Sequence, residues 1–413
     1  MFPTPLHACR ICGNTTLLPV LSLGDQFLTG VFPKSREERI TCGPLDLVKC
    51  HGKDSCSLLQ LGHSYDSSEM YGANYGYRSG LNQSMVDHLR AKVNGLQLMV
   101  SVGAGDVILD IGSNDGTLLS CYPDGPTLVG MDPTAVKFRR FYQPRIHVIP
   151  DFFSGKLFQK EMHGAKAKII TSIAMLYDLE DPISFVREIT SVLAPDGIWH
   201  FEQSYMPLML RVNAYDTVCH EHVEYYGLRQ IKWMLDRCGL KILDVEINDV
   251  NGGSFAVTAA LAASALASKE EKIQEILQSE SGLDTMIPYE TFSKRVAAHR
   301  NELRTMLSGI AASGASVLGY GASTKGNVIL QYCGLTSTEI PAIAEVNPDK
   351  FGAFTPGTLI PIISEEDARA RKPDYFLVMP WHFRGNLVAR EQAFLEAGGK
   401  MLFPLPKVEA VSR

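Results

Sequence analysis

The stretch Tyr215-Asp216-Thr217-Val218-Cys219-His220-Glu221-His222-Val223-Glu224-Tyr225-Tyr226 is the densest cluster of titratable and aromatic groups in the chain. A zinc-protease helix needs His-Glu-x-x-His, which sets two ligands one helical turn apart. His220-Glu221-His222 lacks that spacing. Read as an extended segment, it puts His220 and His222 on one face and Glu221 on the other. A histidine that titrates near neutral pH is a suitable general base for a moderately acidic C–H. His222 is the expected base, Glu221 its orienting or proton-relay partner, and His220 a second imidazole.

Cysteines form a second constellation. Cys9-Arg10-Ile11-Cys12-Gly13 is a Cys-x-x-Cys pair closed by glycine. Two thiolates at this spacing can bind one tetrahedral Zn²⁺ from a tight turn, and a second pair completes a closed structural site. Cys50 and Cys56 supply that pair, with Cys42 and His51 as rival ligands. A small turn-rich segment has little core of its own, so the metal is expected to hold it folded.

A third group of residues surrounds Asp110-Ile111-Gly112-Ser113-Asn114-Asp115-Gly116. Residues 106–110 read as a buried strand, Gly112 and Gly116 bracket a turn, and Thr117 can start a helix. The pattern is not Gly-x-Gly-x-x-Gly, whose second glycine lies against a pyrophosphate. Asn114 and Asp115 fill the turn, and a carboxylate there repels phosphate. A cofactor with a positive centre and an amino-acid end suits it better, as in S-adenosylmethionine. A second apolar strand, 127–132, ends in Asp132 about 20 residues on, where a carboxylate can take a ribose diol. Tyr75 and Tyr77 lie on a glycine-rich loop that can cover a ligand and offer hydroxyls. Near the C-terminus, Gly319-Tyr320-Gly321-Ala322-Ser323-Thr324-Lys325-Gly326-Asn327 reads as the end of a strand, a glycine turn and a helix start. Without the Gly-Lys-Ser/Thr ending of a P-loop it is no ATPase motif. Glycines, hydroxyls and a lysine at a helix N-terminus do suit a diphosphate.

The elements that must position these groups follow from periodicity. Short apolar runs at 106–110, 127–132, 146–151, 167–172 and 197–202, mostly separated by helical patterns, predict a parallel, doubly wound sheet with its ligand at the carboxyl ends of the strands. Residues 82–100 read as an amphipathic helix, 228–239 as a helix with a glycine stop, 241–247 as a strand and 251–254 as a turn. Residues 268–307 read as a polar helical connection. Strands at 340–345, 375–379 and 400–403 repeat α/β logic, and 381–384 reads as a loop at a sheet edge. The fold class is α/β in three parts, expected at 1–66, 67–300 and 301–413. The 413 residues allow that many cores. With 45% hydrophobic and 20% charged residues the chain reads as a globular protein, and a net charge of −6 gives no nucleic-acid footprint. No run of 18 apolar residues suggests a membrane span, and the N-terminus lacks signal-peptide character. The cytoplasm is the expected location.

The middle part resembles the class I S-adenosylmethionine methyltransferase domain. The resemblance implies that Asp110 and Gly112 border the methionine end, with Ser113, Asn114 and Ser172 nearby, that Asp132 takes the ribose, and that Asp151 and Phe152 lie near the adenine. Nearly the full chain is similar to the sugar C-methyltransferases that act on nucleotide-linked 4-keto-6-deoxy sugars. The Cys9/Cys12/Cys50/Cys56 module, Tyr75-Gly76-Tyr77-Arg78-Ser79-Gly80, the Asp110–Gly116 turn, His220-Glu221-His222, Asn251-Gly252-Gly253-Ser254 and the Gly319–Asn327 turn carry this likeness. It implies a zinc-binding module, a Rossmann-like methyltransferase domain and a second Rossmann-like domain. The last would hold a dTDP- or GDP-linked sugar through Ser323, Thr324, Lys325, Asn327 and Glu345, with Asn251 and Gly253. Two positions depart from the family pattern: Cys219, where tyrosine is frequent, and the Leu176-Tyr177-Asp178 region, where histidine is. The competing reading is an NAD-dependent nucleotide-sugar epimerase or dehydrogenase. The missing second glycine at the first turn and the absence of a Tyr-x-x-x-Lys pair in the middle domain oppose it.

Overall fold

A computed structural model describes residues 3–70 and 77–413. Tyr75 therefore lies outside the described residues. The N-terminal part contains β1 (Thr4–Pro5), β2 (Leu17–Phe27), β3 (Cys42–Cys50), β4 (Leu59–Leu61) and β5 (His63–Ser64). Strands β2, β3 and β4 pair antiparallel, and β1 forms a ribbon with β5. The next strands are β6 (Val107–Ile111), β7 (Thr127–Met131), β8 (Ile146–Ile149), β9 (Ala167–Ile173) and β10 (Leu193–Ser204). They are followed by β11 (Glu224–Tyr225), β12 (Leu240–Asn248) and β13 (Ser254–Leu261). Seven of these form one sheet in the order β12-β13-β10-β9-β6-β7-β8. Strands β6 to β10 are parallel, while β13 runs antiparallel to both of its neighbours.

Strand β11 leaves this sheet and pairs with β4, completing the N-terminal sheet in the order β11-β4-β3-β2. The segment after His222 is thus built into the N-terminal part. The last sheet contains β14 (Val317–Tyr320), β15 (Ile343–Glu345), β16 (Ile362–Ser364), β17 (Tyr375–Val378), β18 (Lys400–Phe403) and β19 (Glu409–Val411). Its order is β16-β15-β14-β17-β18-β19, parallel except for β19.

Three expectations change. Thr117 starts no α-helix; only a 3-10 turn forms at Leu119–Cys121, because Pro123 removes the amide and clashes with any helix approaching it. The first glycine turn therefore has no helix dipole behind it, which agrees with a ligand that has no phosphate there. Strand β13 has no counterpart among the expected elements. Ser-Phe-Ala-Val-Thr-Ala-Ala-Leu is buried on both faces except at its last residue, so it lacks the alternation that marks a half-exposed strand. The helical connection is two helices, Glu270–Ser279 and Ile287–Ala312, separated at Gly282, whose φ of 90° no helix accepts. The boundary expected at residue 300 falls inside the second helix.

The core follows these layers. One cluster packs the N-terminal strands, the 206–225 segment, the long helix and the C-terminal sheet together. A second packs Cys9, Ile11, Cys50 and Cys56 with one face of the seven-stranded sheet. A third sits under the helix Gln83–Met99. Among the described residues no helix is long and apolar enough to cross a membrane.

Candidate active site

The His220-Glu221-His222 stretch is a tight turn rather than a strand: the His222 amide donates to the Cys219 carbonyl at 3.2 Å. The two imidazoles consequently part company, correcting the shared face expected above. His220 is fully buried against the N-terminal part, edge-on to Tyr65 with ring centroids 4.6 Å apart. The carbonyls of Gln26 and Gly43 face its ring nitrogens without reaching hydrogen-bond geometry. His222 turns the other way. Its Nδ1 lies 2.9 Å from the Thr217 carbonyl, which can only accept, so Nδ1 carries the proton and Nε2 keeps its lone pair. Tyr177 stands edge-on to the His222 ring at 4.3 Å.

Neither histidine titrates near neutral pH. Burial pushes His220 down to about 4, and burial together with the Lys325 cation pushes His222 down to about 4. Both are neutral at pH 7, which is the form a base requires. Burial pushes the Glu221 carboxyl up. Thr29 Oγ1 lies 3.5 Å from Glu221 Oε2, and Cys219 and the Gly30 amide also face the carboxyl.

Lys325 reaches this turn from the helix Thr324–Cys333, which is capped by Ser323 Oγ accepting from the Gly326 amide at 3.0 Å. Its ammonium is close enough to bias the protonation of His222, Asp216 and His382. Asp216 Oδ2 accepts from the Trp381 indole at 2.7 Å, joining the middle of the chain to the last sheet. Burial and Lys325 push His382 down to about 3. Asp216, Trp381 and His382 belong to the site on this geometry, and the 381–384 loop at the edge of the last sheet is the one that meets the 216–222 segment. The only available signal is the aromatic-histidine composition of that loop; its return to the 216–222 segment is a long-range contact that no local pattern encodes.

The glycines of the second turn have packing reasons. A Cβ at Gly319 would meet Ile343 at 2.6 Å, at Gly321 Pro380 at 2.7 Å, and at Gly326 Met379 at 2.7 Å. Their presence alone therefore does not call for a phosphate; Lys325, Thr324 and the helix start carry that expectation. Asn327 is buried, and its Nδ2 donates to the Thr29 carbonyl at 2.7 Å. Asn327 thus ties the last domain to the N-terminal part. Gly253 packs on Leu208, and Gly252 is the glycine that faces Trp381 and His382. Asn251 lies in the 3-10 turn Val250–Gly252.

The two nucleotide-type turns share one latch. The Gly112 amide donates to the Met131 carbonyl and the Asn114 amide to Asp132 Oδ2 at 2.8 Å. In the last sheet the Gly321 amide donates to the Ala344 carbonyl and the Ala322 amide to Glu345 Oε2 at 3.0 Å. In each, the carboxylate ending the second strand holds the turn after the first. Asp132 Oδ1 also accepts from the Thr134 amide and hydroxyl at 2.6 Å. A carboxylate has about four acceptor sites, and three of those of Asp132 are used among the described residues. Glu345 Oε1 likewise accepts from the Val346 and Asn347 amides.

Around the first turn, Asp110 is buried and accepts from Thr171 Oγ1 at 2.6 Å, and burial raises it to about 7. Ser113 Oγ lies 2.8 Å from Tyr142 Oη. Asn114 Oδ1 and Asp115 Oδ2 accept from the Ser79 and Gly80 amides, each at 3.0 Å, and Asn114 Nδ2 donates to the Tyr77 carbonyl. The half-exposed Tyr77 is thereby tied to the cofactor turn. Asp151 and Phe152 are exposed beyond β8, open to a ligand. Ser172 is fully buried and accepts from the Trp199 indole at 2.9 Å. It belongs to the core, which corrects its expected contact with cofactor. Gly112 faces the Met175 side chain, two residues before Tyr177, so the segment after β9 links the first turn to His222.

Cys9, Cys12, Cys50 and Cys56 bring their four Sγ atoms within 4.8 Å of one another. Contacts of 3.4 Å join Cys9 to Cys56 and Cys12 to Cys50, near the ~3.8 Å edge of a thiolate tetrahedron around Zn²⁺. The donor set fits zinc. Cys42 is exposed at the other end of β3, about 26 Å from Cys50 at strand rise, so it is no ligand. Asn14 Nδ2 donates to Cys50 Sγ at 3.3 Å, and Gln230 Nε2 to the Cys56 carbonyl at 2.9 Å. Fully buried Lys49 donates to the Asp284 carbonyl at 2.8 Å. Its cation offsets the net negative charge of four thiolates on one Zn²⁺.

Comparison with known proteins adds to this geometry. Three family models match: a zinc binding domain over residues 9–71, a methyltransferase domain over 90–245 and a C-methyltransferase C-terminal domain over 249–406. The chain is similar to C-methyltransferase NovU of Streptomyces niveus, at 31% identity over 99% of this chain and 97% of that protein. It is also similar to a ubiquinone biosynthesis O-methyltransferase of Actinobacillus pleuropneumoniae serotype 5b (strain L20), at 28% identity over 29% of this chain and 52% of that one. Among solved structures, the mitomycin 7-O-methyltransferase MmcR has a TM-score of 0.35 at 15% identity, covering 44% of this chain and 55% of that chain. The CcbJ methyltransferase from Streptomyces caelestis has 0.34 at 12% identity, covering 43% and 90%.

Proposed function

The chain belongs to the sugar C-methyltransferase family, and on that premise we propose that it methylates C3 of a nucleotide-diphosphate-linked 4-keto-6-deoxy hexose, dTDP- or GDP-linked, through an enolate. It is an S-adenosylmethionine-dependent methyltransferase whose N-terminal module binds structural zinc. The domains we assign are 1–66 for zinc, 67–300 for methyl transfer and 301–413 for the nucleotide sugar, with the helix Ile287–Ala312 bridging the last two and β11 lent to the sheet of the first.

One observation carries the mechanism: the His222 Nδ1–H is committed to the Thr217 carbonyl, leaving Nε2 as a neutral base beside Lys325. A 4-keto group acidifies the neighbouring C3–H because the resulting carbanion is delocalised onto oxygen. His222 Nε2 takes that proton. Bound S-adenosylmethionine supplies an electrophilic methyl on a sulfonium. Lys325, with Thr324, Ser323 and the helix start, holds the diphosphate, and its charge is then neutralised. The cation that depresses His222 is thereby screened, so substrate binding raises the basicity of the imidazole when it is needed. Glu221 orients the turn or relays the proton. Tyr77 or Tyr75 donates to the ketone oxygen and stabilises the enolate. Asp132 takes the ribose of the methyl donor, Asp110 and Gly112 border its methionine end, and Asp151 and Phe152 its adenine. The location we propose for the reaction is the cytoplasm. The NAD-dependent alternative finds no support in the first turn, which lacks the dinucleotide glycine pattern and any helix behind it.

His222→Asn tests this. A general base contributes about 10²–10⁴-fold, so kcat should fall by that factor with both ligands still bound. Exchange of the C3 hydrogen with deuterated water, measured with an unreactive cofactor analogue, should disappear. Full activity in both His222→Asn and His220→Asn would end the histidine mechanism.

A further inference from the structure

Glu221 is enclosed by three separate parts of the chain. Cys219 precedes it in its own turn. Thr29 and Gly30 come from the N-terminal part, with Thr29 Oγ1 3.5 Å from Glu221 Oε2. Thr324, next to Lys325, comes from the last domain, its Oγ1 3.7 Å from the position a Gly30 Cβ would occupy. That same Cβ would lie 2.3 Å from Glu221 Oε1, well inside contact distance. Gly30 does not have the positive φ that would itself require glycine, so what it provides is space. The segment around it is fixed to the helix Thr324–Cys333 at several points. Asn327 Nδ2 donates to the Thr29 carbonyl at 2.7 Å, the Phe27 amide donates to Gln331 Oε1 at 2.8 Å, and Gln331 Nε2 donates to the Phe27 carbonyl at 3.1 Å. A glycine held firmly against a carboxylate by a helix from another domain is a seat for that carboxylate.

We propose that Thr29 and Gly30 are positioning residues of the active site: the zinc-binding module supplies the seat that fixes the Glu221 carboxylate, and with it the turn that carries His222. The proposal rests on the reading of His222 as the base and Glu221 as its partner. It gives the module a part in the reaction in addition to stability. If the fit of Gly30 were mere close packing, filling the space would cost folding and leave the catalytic step alone. If the seat matters, filling it displaces one carboxylate and slows that step.

A double-mutant cycle decides between the two. Gly30→Ala should lower kcat by about 10- to 100-fold, the range for displacing a catalytic group by roughly 1 Å. KM for S-adenosylmethionine and the thermal midpoint should stay near wild type. In a Glu221→Ala background, where the space is empty, Gly30→Ala should change kcat less than about twofold, since residues that act as a unit are not additive. Equal losses in both backgrounds, or an unchanged kcat in the single variant, overturns the proposal. Should Gly30→Ala not yield folded enzyme, Thr29→Val and Thr29→Ser take its place. Valine should lower kcat and serine restore it, and a valine enzyme with wild-type kcat overturns the proposal. A Glu221→Ala enzyme with wild-type kcat overturns the underlying reading of the turn. A slow Glu221→Ala enzyme with a silent Gly30→Ala overturns only the seat.

Discussion

At His222 a backbone carbonyl and a lysine set the chemistry of one imidazole. The Thr217 carbonyl fixes the tautomer, and burial with Lys325 disfavours the second proton. Folded His222 therefore takes its proton near 4, whereas an unfolded histidine takes it near 6.5. Between those values the unfolded chain binds the proton and the native chain does not. The residue's contribution to stability is thus complete above about pH 6.5 and is lost as pH falls toward 4. Imidazole NMR of the ligand-free protein should place the His222 midpoint well below 6.5, and Lys325→Met should move it upward. A midpoint that ignores Lys325→Met would separate the two groups. Lys325→Ala should also raise KM for the nucleotide sugar, with a smaller effect on S-adenosylmethionine; equal loss of both ligands would indicate misfolding.

At the scale of elements, the repeated unit is a strand, a glycine turn and a carboxylate at the end of the neighbouring strand. Asp132 and Glu345 each hold a turn amide. Asp132→Ala should therefore weaken S-adenosylmethionine by ~1–3 kcal/mol, through loss of charge-assisted bonds both to the ribose and within the turn. Titration calorimetry checks this, and unchanged affinity would dismiss the assignment of Asp132. The strands of both sheets that carry these turns are legible in the sequence as short apolar runs, and the helix Gln83–Met99 as an amphipathic pattern. The short 3-10 turn after Gly116 is not, although Pro123 in the sequence explains it. Nor is β13, whose burial on both faces removes the period that marks a strand. The quartet Cys9, Cys12, Cys50 and Cys56 is legible because metal ligation imposes spacing on sequence. Asp216, Trp381, His382 and Gly30 are not, since each acquires meaning only from a partner far along the chain. The opposed directions of His220 and His222 depend on a turn that forms between Cys219 and His222, whereas the local pattern suggests an extended backbone.

At the scale of the molecule, the zinc loop, the methyltransferase sheet and the last sheet are joined by shared cores rather than by linkers. Cys9, Cys50 and Cys56 pack with Tyr226 and Leu228 in one cluster, and Leu45 and Leu61 pack with Phe292 and Val328 in another. Purified protein should carry about one Zn²⁺ per chain in tetrahedral thiolate coordination. Cys12→Ser should lower stability more than it lowers turnover per folded molecule. Freshly prepared, unchelated protein without zinc on metal analysis would refute this. Because the cores are shared, chelation should lower the unfolding temperature of the whole chain, including the last sheet, in one transition.

Strand β11 gives the molecule a topological constraint. The backbone enters the N-terminal sheet at β2, leaves after β4, and returns more than 150 residues later to add Glu224–Tyr225 to the same sheet. No single cut in the chain releases that sheet whole. A truncated chain starting after residue 66 would expose the edge of β11 and strip the partner from the strand that follows His222. A recombinant fragment ending there would lack its fourth strand. Exchange of this module between related enzymes would need the donor's 224–225 segment transplanted with it. A protease nick in an exposed loop between the two passages should leave the pieces associated until the protein is denatured.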